Sequence, residues 1–135
     1  MKYLLDTNTC VQFLRHGTAS PVAPKLAAAN PGDVALCSVV VAELLFGALR
    51  SHQAVKNLAD VRAFTSGFPS LPFDDRAADE YAKVRADLTA RGTLIGPNDL
   101  MIAAIALANG LILVTHNTTE FSRVAGLTLE DWQTP

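Results

Sequence analysis

Apolar residues along this chain fall into short unbroken runs separated by polar punctuation and by stretches of helical spacing. Lys2–Leu5, Val34–Cys37, Ser70–Phe73, Leu111–Val114 and Leu127–Leu129 predict strands. Between them, Cys10, Val11, Phe13 and Leu14 predict a helix over Thr9–Arg15, and Val22–Ala29 a second. Val39–Ser51 and Gln53–Phe64 follow as two more, then Arg76–Ala90 with Ala78, Tyr81, Val84 and Leu88 on one face. Pro97 opens an almost wholly apolar helix ending at Ala108, and Thr118–Arg123 predicts a short last one. Ser20, Ser38, Asp74 or Asp75, and Asn117 stand where helix caps belong; Gly17, Asn30–Asp33, Gly92 and Asn109-Gly110 are breaks. Strands alternating with helices predict an α/β fold around a parallel sheet, and Leu111–Val114, apolar on both faces, suits a sheet covered on both sides.

Half of the residues are apolar, too many for a disordered chain and enough to give one domain over 1–135 a real core. No apolar run reaches the length of a membrane span, and the N-terminus has a single lysine and no signal-like apolar segment, so the cytoplasm is the expected compartment. A net charge of −2 gives no support for nucleic-acid binding by the chain as a whole. Any RNA contact must come from a local basic patch or from metal ions. Cys10 and Cys37 match no metal-ligand spacing and lie in apolar surroundings, as reduced core thiols do.

The candidate chemistry is acidic. Asp6 follows the first apolar run at once, where open α/β sheets present chemistry, although an aspartate there also serves as a helix cap or turn residue. Asp99 falls in the first turn of the Pro97 helix, where a negative charge is stabilising in its own right. Asn117-Thr118-Thr119-Glu120 has the form of a capping box. Glu43 is hardest to explain structurally, flanked by Val39–Ala42 and Leu44–Phe46 on a largely apolar helix. In a parallel sheet all these positions open toward one edge, and carboxylates crowded there repel unless a divalent cation sits between them. Oxygen donors with no His or Cys among them favour Mg²⁺ or Mn²⁺ over zinc. His16, His52 and His116 are isolated; His116 is expected as a bystander or an RNA contact.

Leu5–Asn8, Ser38–Leu44, Ile95–Ala104 and Val114–Phe121, with the terminal Gly126-Leu127-x-x-Glu130-Asp131-Trp132, together resemble the PIN-domain ribonucleases, and among these the VapC-type toxins of bacterial toxin–antitoxin pairs. The likeness runs through essentially the whole chain, in order and spacing. It implies a three-layer fold with a central, mainly parallel sheet flanked by helices, and a Mg²⁺-dependent endoribonuclease, Mn²⁺ being an alternative, kept inactive by a cognate VapB-type antitoxin. By the same likeness Asp6, Glu43 and Asp99 match the core acids that hold the metal, and Thr7, Asn8, Ser38 and Thr115 the polar groups that orient acids and phosphate. Many relatives carry a fourth aspartate where this chain has Asn117, which leaves a second metal open; Glu120, one turn on, is the candidate replacement.

The implied partners are RNA, such as tRNA, the antitoxin, and operator DNA only through that antitoxin, in a homodimer or a toxin–antitoxin hetero-oligomer. Leu44, Leu45, Phe46, Leu49, Val55, Leu58, Val61 and Phe64 exceed what one helix face buries, so the two helices they lie on are expected to form an open hairpin receiving an amphipathic antitoxin segment. Packing between the helices, or a homodimer seam, would use the same residues. Two other classes compete: a catalytically weakened interaction module on the same fold, which Asn117 would mark, and a receiver-like phosphorylation module, which lacks its paired acids and late lysine here.

Overall fold

The apolar runs become the strands of one sheet. A computed structural model describes residues 1–134. Strands β1 (Tyr3–Leu5), β2 (Val34–Cys37), β3 (Ser70–Leu71), β4 (Ile112–Val114) and β5 (Leu129–Glu130) lie in the order β3-β2-β1-β4-β5, every pair parallel. Parallel neighbours need crossovers, and these are supplied by α1 (Thr7–His16), α2 (Val22–Ala28), α3 (Ser38–Leu49), α4 (Ala54–Thr65), α5 (Asp75–Ala90), α6 (Pro97–Ala108) and α7 (Thr118–Phe121). The result is a three-layer α/β fold, its central sheet flanked by helices and wholly parallel.

Strand order places the site. From β1 the chain moves outward through β2 to β3, then returns on α5 and α6 to lay β4 against the other side of β1. The order reverses between β1 and β4, the point at which open α/β sheets bind ligands beyond their carboxyl ends. Leu5 pairs with Val114 there, so the next residues, Asp6 and Thr115, stand side by side at the reversal. Leu4, Leu36 and Leu113 are fully buried, as is the run Ile102–Ala106 of α6, whose alanines let that helix lie close to its neighbours.

Helix ends follow local chemistry with instructive exceptions. Asp74, not Asp75, caps α5, accepting from Ala77 N at 3.0 Å. Gly92 (φ +67°) and Gly110 (φ +64°) end α5 and α6 in left-handed turns, with Thr93 N donating to Leu88 O and Leu111 N to Ala106 O, both at 2.9 Å. Helix α1 starts at Thr7, earlier than expected, because Asp6 is itself the cap. Ser38 is not a cap: Cys37 takes that position in extended backbone with no side-chain bond, because the strand turns into α3 without a spacer. Strand β3 stops at Leu71 because Pro72 has no N–H to donate. Strand β5 lies at Leu129–Glu130, shifted from the apolar run, since an edge strand takes its register from backbone bonds, Leu113 N to Thr128 O and Thr115 N to Glu130 O.

Candidate active site

Asp6 ends the central strand and begins a helix, and both roles immobilise it. Its backbone N–H donates to Val114 O at 3.0 Å, and its Oδ1 accepts from Thr9 N at 2.9 Å. Thr9 Oγ1 also donates to Val114 O, so one residue ties α1 to both strands of the switch point. Only 5% of Asp6 is exposed. Burial pushes its carboxyl above the usual range and the charge of Glu43 adds to this, against the hydrogen bonds of Thr115 and Thr9.

Glu43 sits one helical turn into α3, half-buried, and Thr7 Oγ1 donates to its Oε1 at 2.6 Å. Asp99 enters from the first turn of α6. Its pKa is pushed up to about 6, first by burial, then by the charges of Glu43, Asp6 and Glu120. Asp99 therefore feels the charge of three other carboxylates, and Asp6 that of Glu43, so that acids from four elements face one another here. Among the described residues no ion pair reaches any of them. A cavity of about 590 Å³ opens beside them, lined by Thr7, Ser38, Glu43, Phe46, Asn98 and Met101. A second, of about 270 Å³, lies between α1, α3 and α4, with Glu43 again in its wall.

The capping box is not made. Asn117 occupies the cap position of α7 without capping it; instead its backbone N–H donates to Thr115 Oγ1 at 3.0 Å and its Nδ2 to Glu120 Oε2 at 3.0 Å. The Thr115 hydroxyl has taken the N–H that the glutamate was expected to reach. Glu120 is thereby turned along the loop toward Asn117, close enough to raise Asp99. Of the polar supports, Thr7 and Thr115 touch the acids, Ser38 lines the larger cavity, and Asn8 is exposed. Cys10 is fully buried and its thiol is pushed well above its ordinary pKa, first by burial, so it is protonated and no nucleophile.

The PIN-domain family model matches residues 3–127. The chain belongs to the PIN-domain family. The tRNA(fMet)-specific endonuclease VapC of Shigella flexneri is 40% identical over 132 residues, 98% of each chain, and Ribonuclease VapC2 of Haemophilus influenzae is 36% identical over the same share. The crystal structure of DNA-bound VapBC from Salmonella typhimurium superposes with a TM-score of 0.92 at 36% identity, covering 98% of both chains. The chain is thus a VapC-type member of a family of nucleases.

PIN-domain nucleases generally work with a divalent metal. Among the described residues no group of three or more His, Cys, Asp or Glu side chains is arranged to hold a metal ion. A hard cation that keeps several of its waters asks for only one or two carboxylates. The donors here are all oxygens, and Asp99, raised first by burial and then by three neighbouring carboxylates, has no ion-pair partner among the described residues. On chemistry and on charge, these residues fit such a cation.

Proposed function

We propose that this chain is the toxin endoribonuclease of a VapBC-type pair, hydrolysing RNA phosphodiester bonds with Mg²⁺, or Mn²⁺, held by Asp6 and Asp99 and by Glu43 directly or through water. The observation that carries this reading is the gathering of Asp6, Glu43 and Glu120 around Asp99 at the sheet's switch point, where burial first and these neighbouring carboxylates second push Asp99 up to about 6. A bound cation would supply a water of lowered pKa and offset charge gathering on the scissile phosphate. The chain's own groups do the positioning. Thr9 holds Asp6 in one orientation, and Thr7 holds Glu43. Asn98 and Ser38 offer neutral polar groups along the larger cavity, where the RNA backbone would approach the acids. Asn117 adds no charge and its amide is engaged with Glu120, which favours a single cation.

The names of the relatives make initiator tRNA the first substrate to try. Cleavage of that RNA should appear with Mg²⁺ or Mn²⁺, vanish in EDTA and be only poorly supported by Zn²⁺; cleavage persisting in EDTA would refute the mechanism. The weakened interaction module keeps one supporting observation, the neutral Asn117 at the fourth-acid position, and predicts that Mg²⁺ binds poorly even at millimolar concentration.

The antitoxin segment is assigned to the groove between α1, α3 and α4. Val11, Leu14, Leu44 and Val61 give it an apolar wall, and Glu43 places its end at the acids. The apolar surplus of α3 and α4 divides accordingly: Leu44 and Val61 are buried, Leu45, Leu58 and Phe64 pack partly on the core, and Phe46, Leu49 and Val55 are exposed. Gly47 also lines the groove, in mid-helix with nothing within 4 Å of the place a Cβ would take. Glycine there costs about 0.5–1 kcal/mol of helix stability against alanine, with no close contact inside the chain to require it. Gly47→Leu should leave cleavage intact and weaken neutralisation by the antitoxin; a fully inhibited variant would place the segment elsewhere. A basic residue of that segment would compete with Mg²⁺ for the acids' field. DNA contact is assigned to the antitoxin, in keeping with the chain's net charge of −2, and the site of action to the cytoplasm.

A further inference from the structure

The terminal motif Glu130-Asp131-Trp132 supplies no acid to the cluster, yet it makes several side-chain hydrogen bonds. Trp132 is 3% exposed, its ring stands edge-on 5.1 Å from that of Tyr3 in β1, and its Nε1 donates to Glu130 Oε1 at 3.0 Å. Asp131 accepts three bonds: from Gln133 N at 2.9 Å, from Thr134 Oγ1 at 2.7 Å and, across fifteen residues, from His116 Nδ1 at 2.9 Å. These bonds hold its carboxyl below the usual range despite partial burial.

His116 is the middle residue of the turn that leads from β4 into the site. Thr115 is fixed through its N–H to Glu130 O, and Asn117 through its N–H to Thr115 Oγ1. His116 itself is mostly exposed, so the bond to Asp131 is its side chain's tie to the body of the protein. We propose that Asp131 and His116 are positioning residues, a clasp by which the Trp132-anchored C-terminal segment holds the 115–117 turn, and with it Asn117 and Glu120, against the acids. The proposal rests on the ribonuclease reading for its effect on catalysis, and on the hydrogen-bond chain alone for its effect on the turn. A mobile turn would let Glu120 and Asn117 drift from the cluster, and displacement of about 1 Å at a positioning group can cost up to a hundredfold in rate.

The test compares His116→Ala, Asp131→Ala, the double variant and His116→Asn, whose amide can still donate to Asp131. With Mg²⁺ and initiator tRNA, each alanine variant should lower kcat about tenfold with KM nearly unchanged. The double variant should be no worse than the poorer single, and His116→Asn should recover most of the loss. Amide exchange over residues 115–121 should quicken in both alanine variants while β1 stays protected. Wild-type kcat in His116→Ala, or losses that multiply in the double variant, would overturn the clasp. If the unmodified protein cuts no RNA, the ribonuclease reading fails separately and exchange alone decides: unchanged rates over 115–121 in His116→Ala would then refute the clasp.

Discussion

Asp6 and Glu120 belong to one cluster of carboxylates, yet the protein holds them in opposite ways. Asp6 is built into the junction of two central strands and a helix, nearly sealed from solvent and fixed by bonds with Thr9 and Val114. Glu120 lies half-buried on a four-residue helix, joined to the site through one bond from the side chain of an exposed asparagine. A buried carboxylate raised by desolvation and by like charge destabilises the chain that carries it. Such a group is retained where its charge is used. A rim carboxylate in water carries little such cost and serves by reach. On the proposed reading, the cation belongs to the Asp6 side and Glu120 has a supporting role.

The largest effect should come from the floor of the site, the side that carries Asp6 with Asp99 and Glu43. Asp6→Asn is expected to cut RNA cleavage by about a thousandfold or more, some 4 kcal/mol of transition-state stabilisation, with the fold retained. Near-wild-type cleavage by this variant would break the comparison outright. Asp99→Asn should be comparably inactive and, without metal, more stable than the parent. The sign follows from the raised pKa: the native state keeps the Asp99 proton up to about pH 6, whereas the unfolded chain loses it near 3.8. This group's contribution is thus fully present below the unfolded value and is lost as pH rises through about 6. Thermal melts between pH 4 and 8 should show the metal-free parent losing stability across that window and Asp99→Asn losing less. An identical pH dependence in the two proteins would remove Asp99 from the buried cluster.

Thr115→Val sharpens the contrast from within. It keeps the shape of a fully buried side chain but deletes the hydroxyl that serves Asp6 on one side and the Asn117 N–H on the other. Losing a hydrogen bond to a charged group is worth about 1.5–3 kcal/mol, so a loss of about ten- to a hundredfold in kcat is expected, with weaker Mg²⁺ dependence at saturation. Glu120→Gln should cost least, about three- to tenfold, because its bond to Asn117 survives the change to an amide. A loss as deep as that of Asp6→Asn would move Glu120 to the floor.

The floor was also the part that could be read from the chain. Asp6 follows an apolar run, Asp99 follows Pro97 at a helix start, and Glu43 is a charge among valines and leucines; each departs locally from its surroundings. The alternation of runs and helical spacings likewise gave the sheet and its crossovers, because burial on both faces leaves a continuous apolar signature. What escaped was carried by distance. Thr9 bonds Val114 across 105 residues and does not stand out in its own neighbourhood; His116, conspicuous only as an isolated histidine, bonds Asp131 across 15. Asn117 and Glu120 misled for a related reason. Their spacing satisfies a capping box, but Thr115 competes for the same N–H, and a pattern read along one helix does not register a neighbour that arrives from the strand before it.

On the proposed reading, Asp6 and Asp99 hold a divalent cation that Glu120 does not need to hold. Titration of Mn²⁺ followed by electron paramagnetic resonance, on the unmodified protein, Asp6→Asn and Glu120→Gln, tests this without recourse to cleavage. One bound Mn²⁺ in the unmodified protein and in Glu120→Gln, with none in Asp6→Asn, is the predicted result. Equal binding by Asp6→Asn, or binding lost only in Glu120→Gln, would contradict it.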